Sequence, residues 1–180
     1  MALQGVLTPS TVRHFPHQPL PASASGVMHA ALNERFSFQL ALQASAPVTV
    51  RVAAEGPAGW TVRVRRVGLV PVAHHNTPVM ADPLDMDGLG HIPGFVPDPL
   101  FDETTLLLPQ DELHAFWISV QPGSGARPGR YVIAVTATPE DGRPLVRRMT
   151  VRLHDVVLPP RQGFHVTHWF YNDQLLDWYR

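Results

Sequence analysis

Arg35-Phe-Ser-Phe-Gln-Leu-Ala-Leu-Gln43 alternates large apolar side chains, Phe36, Phe38, Leu40 and Leu42, with Ser37, Gln39, Ala41 and Gln43. A period of two sends successive side chains to opposite faces of an extended chain, so this stretch predicts a strand with one face in a core. The same alternation recurs on either side of it. It is found at Val48, Val50 and Val52, at Val62 and Val64 with Arg63 and Arg65 opposite, and at Phe116, Ile118 and Val120. It returns at Tyr131, Ile133, Val135 and Ala137, and at Met149, Val151 and Leu153 with Arg148, Thr150 and Arg152 opposite. Pro57-Ala-Gly59 and Pro139-Glu-Asp-Gly142 supply turn chemistry between neighbouring runs, and Val27 to Leu32 reads as a further strand.

Seven or eight short strands with no helix between them predict an all-β fold, an antiparallel β-sandwich of immunoglobulin or fibronectin type. The 19 prolines among 180 residues point the same way, because proline removes a backbone donor and breaks helix interiors. His74 to Glu103 interrupts the rhythm with Pro78, Pro83, Pro93, Pro97 and Pro99 and reads as one long Pro-rich loop. The double proline Pro159-Pro160 predicts a domain boundary, giving a sandwich over residues 1–160. Beyond it, Gly163 to Phe170 reads as a strand, and Asn172 caps a helix that carries Leu175, Leu176 and Tyr179 on one side. Residues 161–180 are therefore expected to be a short β/α segment opening a second, truncated domain.

Composition excludes several chemistries. The chain has no Cys, and all 14 of its basic residues are Arg, against 15 acidic ones for a net charge of −1. Thiol nucleophiles, thiolate metal sites, Schiff-base amines and phosphate-loop lysines are thereby ruled out. A near-neutral chain is also a poor counterion-releasing surface, so nucleic acid is not an expected partner. No run approaches the roughly 20 apolar residues of a membrane span. The start, Met1-Ala-Leu-Gln-Gly-Val-Leu-Thr-Pro9, lacks the basic and apolar regions of a signal peptide, which makes the cytoplasm the expected location.

Asn33-Glu-Arg-Phe-Ser-Phe-Gln-Leu-Ala-Leu42, Gly94-Phe-Val-Pro-Asp-Pro-Leu100, Phe116-Trp-Ile-Ser-Val120, Pro128-Gly-Arg-Tyr131, Leu158-Pro-Pro160 and Thr167-His-Trp-Phe170 follow one another in an order that resembles glycoside hydrolases in which an N-terminal β-sandwich precedes a (β/α)8 barrel. The resemblance implies a non-catalytic accessory domain that supports the barrel and shapes its cleft. It also implies that the catalytic carboxylates lie on later barrel strands, so these 180 residues are not expected to turn over substrate alone. Two other readings stand beside it: a carbohydrate-binding module with an aromatic platform, and an immunoglobulin-like protein-interaction module with no carbohydrate role. Expected partners are the catalytic barrel, carbohydrate, and a second copy through residues 163–180, whose aromatic side chains need cover.

No catalytic residue is assigned within the chain, and neither a cofactor nor a metal is expected. Trp169, at the end of the first barrel strand, is a candidate for stacking on a sugar ring, with His168 beside it. Asp98, stiffened by Pro97 and Pro99, is the third substrate-binding candidate, aimed either at a nearby loop or across a domain interface. Asp82, Asp85, Asp87, Asp102 and Glu103 read as turn or solvated acids. Asp85-Met-Asp-Gly88 is no calcium loop, since that register puts Pro83 at the first ligand and Gly94 at the bidentate one. His74-His75, His165 and His168 have the wrong parity for chelation, and His91 enters only a ligand set assembled from distant histidines. Gly123-Ser-Gly125 lacks the flanking glycines of a nucleophile elbow and reads as a loop. Arg63, Arg65, Arg148 and Arg152 read as solvated stripes, and Trp60 and Trp117 as packing residues.

Overall fold

The alternation at 36–43 does form a strand, and its apolar side packs at the centre of a two-layer molecule. The computed structural model describes residues 2–22, 26–74, 88, 90–160 and 163. Among them there are ten strands and no helix. In chain order they are β1 (Leu3–Pro9), β2 (Val27–Leu32), β3 (Phe36–Ala44), β4 (Val48–Glu55), β5 (Thr61–Val72), β6 (Gly94–Phe101), β7 (Thr105–Leu108), β8 (His114–Gln121), β9 (Gly129–Pro139) and β10 (Leu145–Val157). Two five-stranded sheets stack face to face, ordered β1-β3-β8-β5-β6 and β2-β10-β9-β4-β7.

The core between them is what the alternation requires. Phe38, Leu40, Phe116, Ile118 and Val120 of the first sheet are fully buried, as are Val50, Ile133, Val135, Ala137 and Val151 of the second. Arg147 closes the open side of the sandwich. Its Nε donates to the Gly5 carbonyl at 2.8 Å, tying β10 of one sheet to β1 of the other. Trp60 packs against this core as expected, with its ring 4.8 Å from that of Tyr131.

Three details differ from the sequence reading. First, the fold is not wholly antiparallel: β2 lies parallel to β10, with Thr150 opposite Val27 and Leu153 opposite Ala30. Pairing between segments so distant in sequence leaves no local trace. Second, the expected loop from His74 to Glu103 ends in a strand. β6 pairs with β5 from Arg66↔Phe101 to Val72↔Gly94, despite Pro97 and Pro99. It is an edge strand, where a missing donor can face away from the ladder. Residues 75–87 of that segment lie outside the described residues. Third, β1 and β7 add edges that the alternation does not mark. The expected β/α segment at 161–180 falls outside the described residues, Gly163 apart.

A strap, residues 10–20, crosses part of the outer face of the first sheet. Leu20 covers a small cluster of Val6, Ala41 and Leu113, and the Leu113 amide bonds the Pro16 carbonyl at 2.8 Å. Gln39 points outward from β3, is 3% exposed, and donates from its amide nitrogen to the Pro9 and Val12 carbonyls at 3.1 and 2.6 Å. At the far end the chain leaves β10 under a clamp. The Leu158 amide bonds the Leu32 carbonyl at 3.0 Å, and the Asn33 side chain bonds the Leu158 carbonyl at 2.9 Å. Asn33 takes the left-handed conformation (φ 64°) that an Asn tolerates well in a tight turn.

Candidate functional site

Where the strap ends, the outer face of the first sheet lies open, and strand register decides which side chains meet there. Ser119 of β8 stands between Ser37 of β3 and Arg63 of β5, and Trp117 stands between Gln39 and Arg65. One step towards the sheet end, Gln121 is opposite Thr61, with Arg35 just before β3. Residues from three strands, separated by up to 86 positions in sequence, thus share one surface.

Arg35, Thr61, Arg63, Arg65, Ser119, Val120 and Gln121 line a cleft of about 200 Å³. Arg35 donates to the Gln121 amide oxygen at 3.0 Å, and Arg65 to the Ser119 hydroxyl at 3.2 Å, which also contacts the Ser37 hydroxyl at 3.2 Å. Among the described residues only Arg63 of these three has a carboxylate partner, Asp102, whose two oxygens lie 2.6 Å from its Nη2. Both members of that pair are mostly exposed, so it contributes about 0–1 kcal/mol. The Nε of Arg65 is buried and has no hydrogen-bond partner among the described residues. Asp102 and Glu103, read as turn or solvated acids, are mostly exposed and pair with Arg63 and Arg66.

Further along the same face a depression of about 340 Å³ is lined by Arg13, Gln39, Pro97, Asp98, Leu100 and Trp117, among others. Trp117 is therefore not in the core. Residue 116 points inward, so residue 117 must point out, and the half-buried indole lies on the outer surface. Asp98 does reach a surface that other polar side chains share. Its side chain is exposed and makes no hydrogen bond to another described residue, so it does not cap a neighbouring loop among them. His168 and Trp169 lie outside the described residues.

The buried histidine of this region supports the strap. His14 is 3% exposed and its Nε2 shares a 2.7 Å hydrogen bond with the Thr8 hydroxyl. Desolvation lowers its pKa below the ordinary 6.5. His91 stacks on Phe15, ring centroids 4.2 Å apart and planes at 7°, and is bonded to Gln18; it packs the strap. His29 and His154, which the sequence did not single out, stack across β2 and β10 with ring nitrogens 2.7 Å apart. Among the described residues no three His, Asp or Glu side chains form a metal-binding group.

The end of the sandwich where β10 exits is built from the β2–β3 turn, the β4–β5 turn and the β8–β9 loop. Gly123-Ser-Gly125 is indeed a loop there, packed so closely that a Cβ on Gly123 would lie 2.3 Å from the Gly59 carbonyl oxygen. Val156, Val157 and Leu158 follow one another at this end with 56%, 65% and 42% of their surface exposed.

No protein-family model matches this sequence, and no curated protein matches it significantly. Several solved structures resemble it to different degrees. A family 123 glycoside hydrolase from Clostridium perfringens superposes with a TM-score of 0.61 at 14% identity, over 88% of this chain and 28% of the enzyme's. A cohesin–dockerin complex from Clostridium thermocellum gives a TM-score of 0.37 at 10% identity, over 86% of this chain and 100% of that one. A PapD-like domain of human CEP192 gives 0.34 at 11%, over 74% and 84%. The chain thus spans little more than a quarter of the length of the enzyme whose fold it shares.

Proposed function

We propose that residues 1–160 are the non-catalytic N-terminal accessory domain of a glycoside hydrolase, and that residues 161–180 open its catalytic barrel. The observation that carries this reading is the exit patch. Three consecutive large apolar side chains, Val156 to Leu158, stand exposed where the chain leaves the sandwich. Single exposed apolar residues need no explanation, but three in succession at a domain junction present apolar surface on more than one side of the departing chain, which a following domain would cover. The shared fold with part of a glycoside hydrolase supports the same assignment. The clamp on Leu158 fixes the direction in which the chain departs, so the barrel would sit against the sandwich end rather than swing on a free linker.

Neither an aromatic sugar platform nor strand addition gains an equivalent observation. Among the described residues the stacked or tilted ring pairs are Phe15–His91, His29–His154 and Trp60–Tyr131, and none is a coplanar pair of exposed Trp or Tyr rings. Strand addition needs a long open edge, whereas β6 carries two prolines, β7 has four residues, β2 has six, and the Gly5 carbonyl of β1 already accepts from Arg147.

Hydrogen exchange tests the assignment. Amides 154–158 should exchange more slowly in a protein extended through the complete barrel than in the 180-residue chain. Equal exchange in the two would show that nothing docks on the patch and would remove the reading. The 180-residue chain should be inactive on aryl glycosides, and turnover that vanished in Asp98→Ala would move the active site into the sandwich.

A further inference from the structure

We propose that the arginine cleft on the outer face of the first sheet binds a carboxylate carried on a sugar ring, as in a uronic acid, with Trp117 providing the apolar surface beside it. The inference concerns the sandwich's own surface and does not depend on a catalytic domain following it.

Charge comes first. Three guanidinium groups, those of Arg35, Arg63 and Arg65, line one cleft, and only Arg63 has a carboxylate partner among the described residues. Arg35 and Arg65 are held by the neutral oxygens of Gln121 and Ser119. A guanidinium carries five N–H donors, and the structure gives Arg65 one acceptor while leaving its Nε buried and unbonded. Holding a half-buried cation with so few acceptors is unfavourable unless an anion completes the set. By contrast, Arg148 and Arg152 on the outer face of the second sheet are exposed to solvent and bond no other described residue.

Spacing comes second. Arg63 and Arg65 are two residues apart on one strand, about 7 Å, while Arg35 stands two strands away, about 10 Å. The space bracketed accepts one ring-sized group, whose planar carboxylate matches the fork of a guanidinium better than a point charge would. The neighbours choose the ring. Trp117 is the direct cross-strand partner of Arg65 and of Gln39. An indole face suits the C–H side of a pyranose, and the Ser119, Thr61 and Gln121 side chains supply hydrogen bonds for its hydroxyls.

Titration calorimetry on the 180-residue chain at low salt tests this with digalacturonate, neutral galactobiose, a sulfated galactose and sodium acetate. Digalacturonate should bind about tenfold or more tightly than galactobiose, and both Arg65→Gln and Arg35→Gln should weaken it about tenfold. Arg148→Gln, the same charge change on the other face, should leave it unchanged, and rising salt should weaken it. Equal affinity for the acidic and neutral disaccharides, or no binding of either, would overturn the proposal. Tighter binding of the sulfated sugar would replace the carboxylate by a sulfate ester, and acetate binding as well as digalacturonate would reduce the site to an anion site with no sugar specificity; either result overturns it. So would finding, in a protein extended through a barrel, that an acidic side chain of the barrel fills the cleft. If Arg65→Gln misfolds, Arg35→Gln decides the matter, because Arg35 is exposed and outside the core.

Discussion

The two outer faces of the sandwich carry the same residue pattern and have become different surfaces. On β5, Arg63 and Arg65 alternate with Val62 and Val64; on β10, Arg148 and Arg152 alternate with Met149 and Val151. The second face leaves its arginines in solvent beside Val132 and Val146, which are 48% and 38% exposed. On the first, a strap covers part of the sheet, three arginines and Ser119 line a cleft beyond it, and Trp117 lines the neighbouring depression. Alternation settles which side of a strand faces the core. What the solvent side does depends on the neighbouring strands, and β8 places Ser119 and Trp117 beside β5 while β9 places Ala134 beside Arg148.

The comparison treats the faces as separable surfaces on one shared core, and a core lesion tests that most severely. Phe116→Ala should destabilise the chain by about 3–5 kcal/mol, the usual effect of emptying a fully buried aromatic site. Urea melts followed by signals from each sheet should move together; separate transitions would mean that the sheets are not one cooperative unit. The next effect belongs to the end that joins the sheets. Gly123→Ala forces a Cβ onto backbone, the Gly59 carbonyl, rather than onto a flexible side chain, and should cost about 1–3 kcal/mol. A loss below half of that would show that the β8–β9 loop moves away freely.

A pH effect is expected from the strapped face. His14 is neutral in the fold because burial lowers its pKa, so below the ordinary value of 6.5 the unfolded chain takes up a proton that the native chain resists. Stability is therefore fully present above about pH 6.5, declines as the pH falls below it, and stops declining from this source once the pH is under the lowered native value. His14→Gln should remove that slope between pH 7 and 5 while Arg148→Gln keeps it; an unchanged slope in His14→Gln would assign the titration elsewhere. The smallest effect is expected on the bare face, where Arg148→Gln combined with Arg152→Gln should change stability by no more than about 0.5 kcal/mol. A larger change would mean that the second face also holds its arginines in place.

Strands with one wet and one dry face were legible from sequence, and Val27–Leu32 even matched to the residue. β1 was not, because Val6, Leu7 and Thr8 are buried in succession between core and strap, so alternation is lost. β6 was hidden by prolines that only an edge position permits. The candidate site was half legible. Arg63 and Arg65 were visible as a pair, and Asp98 as a stiffened acid, but Arg35, Ser119 and Gln121 join them only through pairing across three strands. Trp117 was misread as packing because aromatic residues on strands are more often inside; its parity with Phe116 and Ile118 already placed it outside.

The clamp at the chain's exit also governs how the molecule carries a mechanical load. A pull applied beyond Pro160 runs along β10, a 13-residue strand flanked by β2 on one side and β9 on the other. The pull must first break the Leu158–Leu32 and Asn33–Leu158 hydrogen bonds, and then faces a parallel ladder to β2 and an antiparallel one to β9. With the force along the strand axis, those bonds are sheared together instead of being peeled one at a time. On the proposed domain boundary, the sandwich would act as an anchor against tension transmitted through residues beyond Pro160.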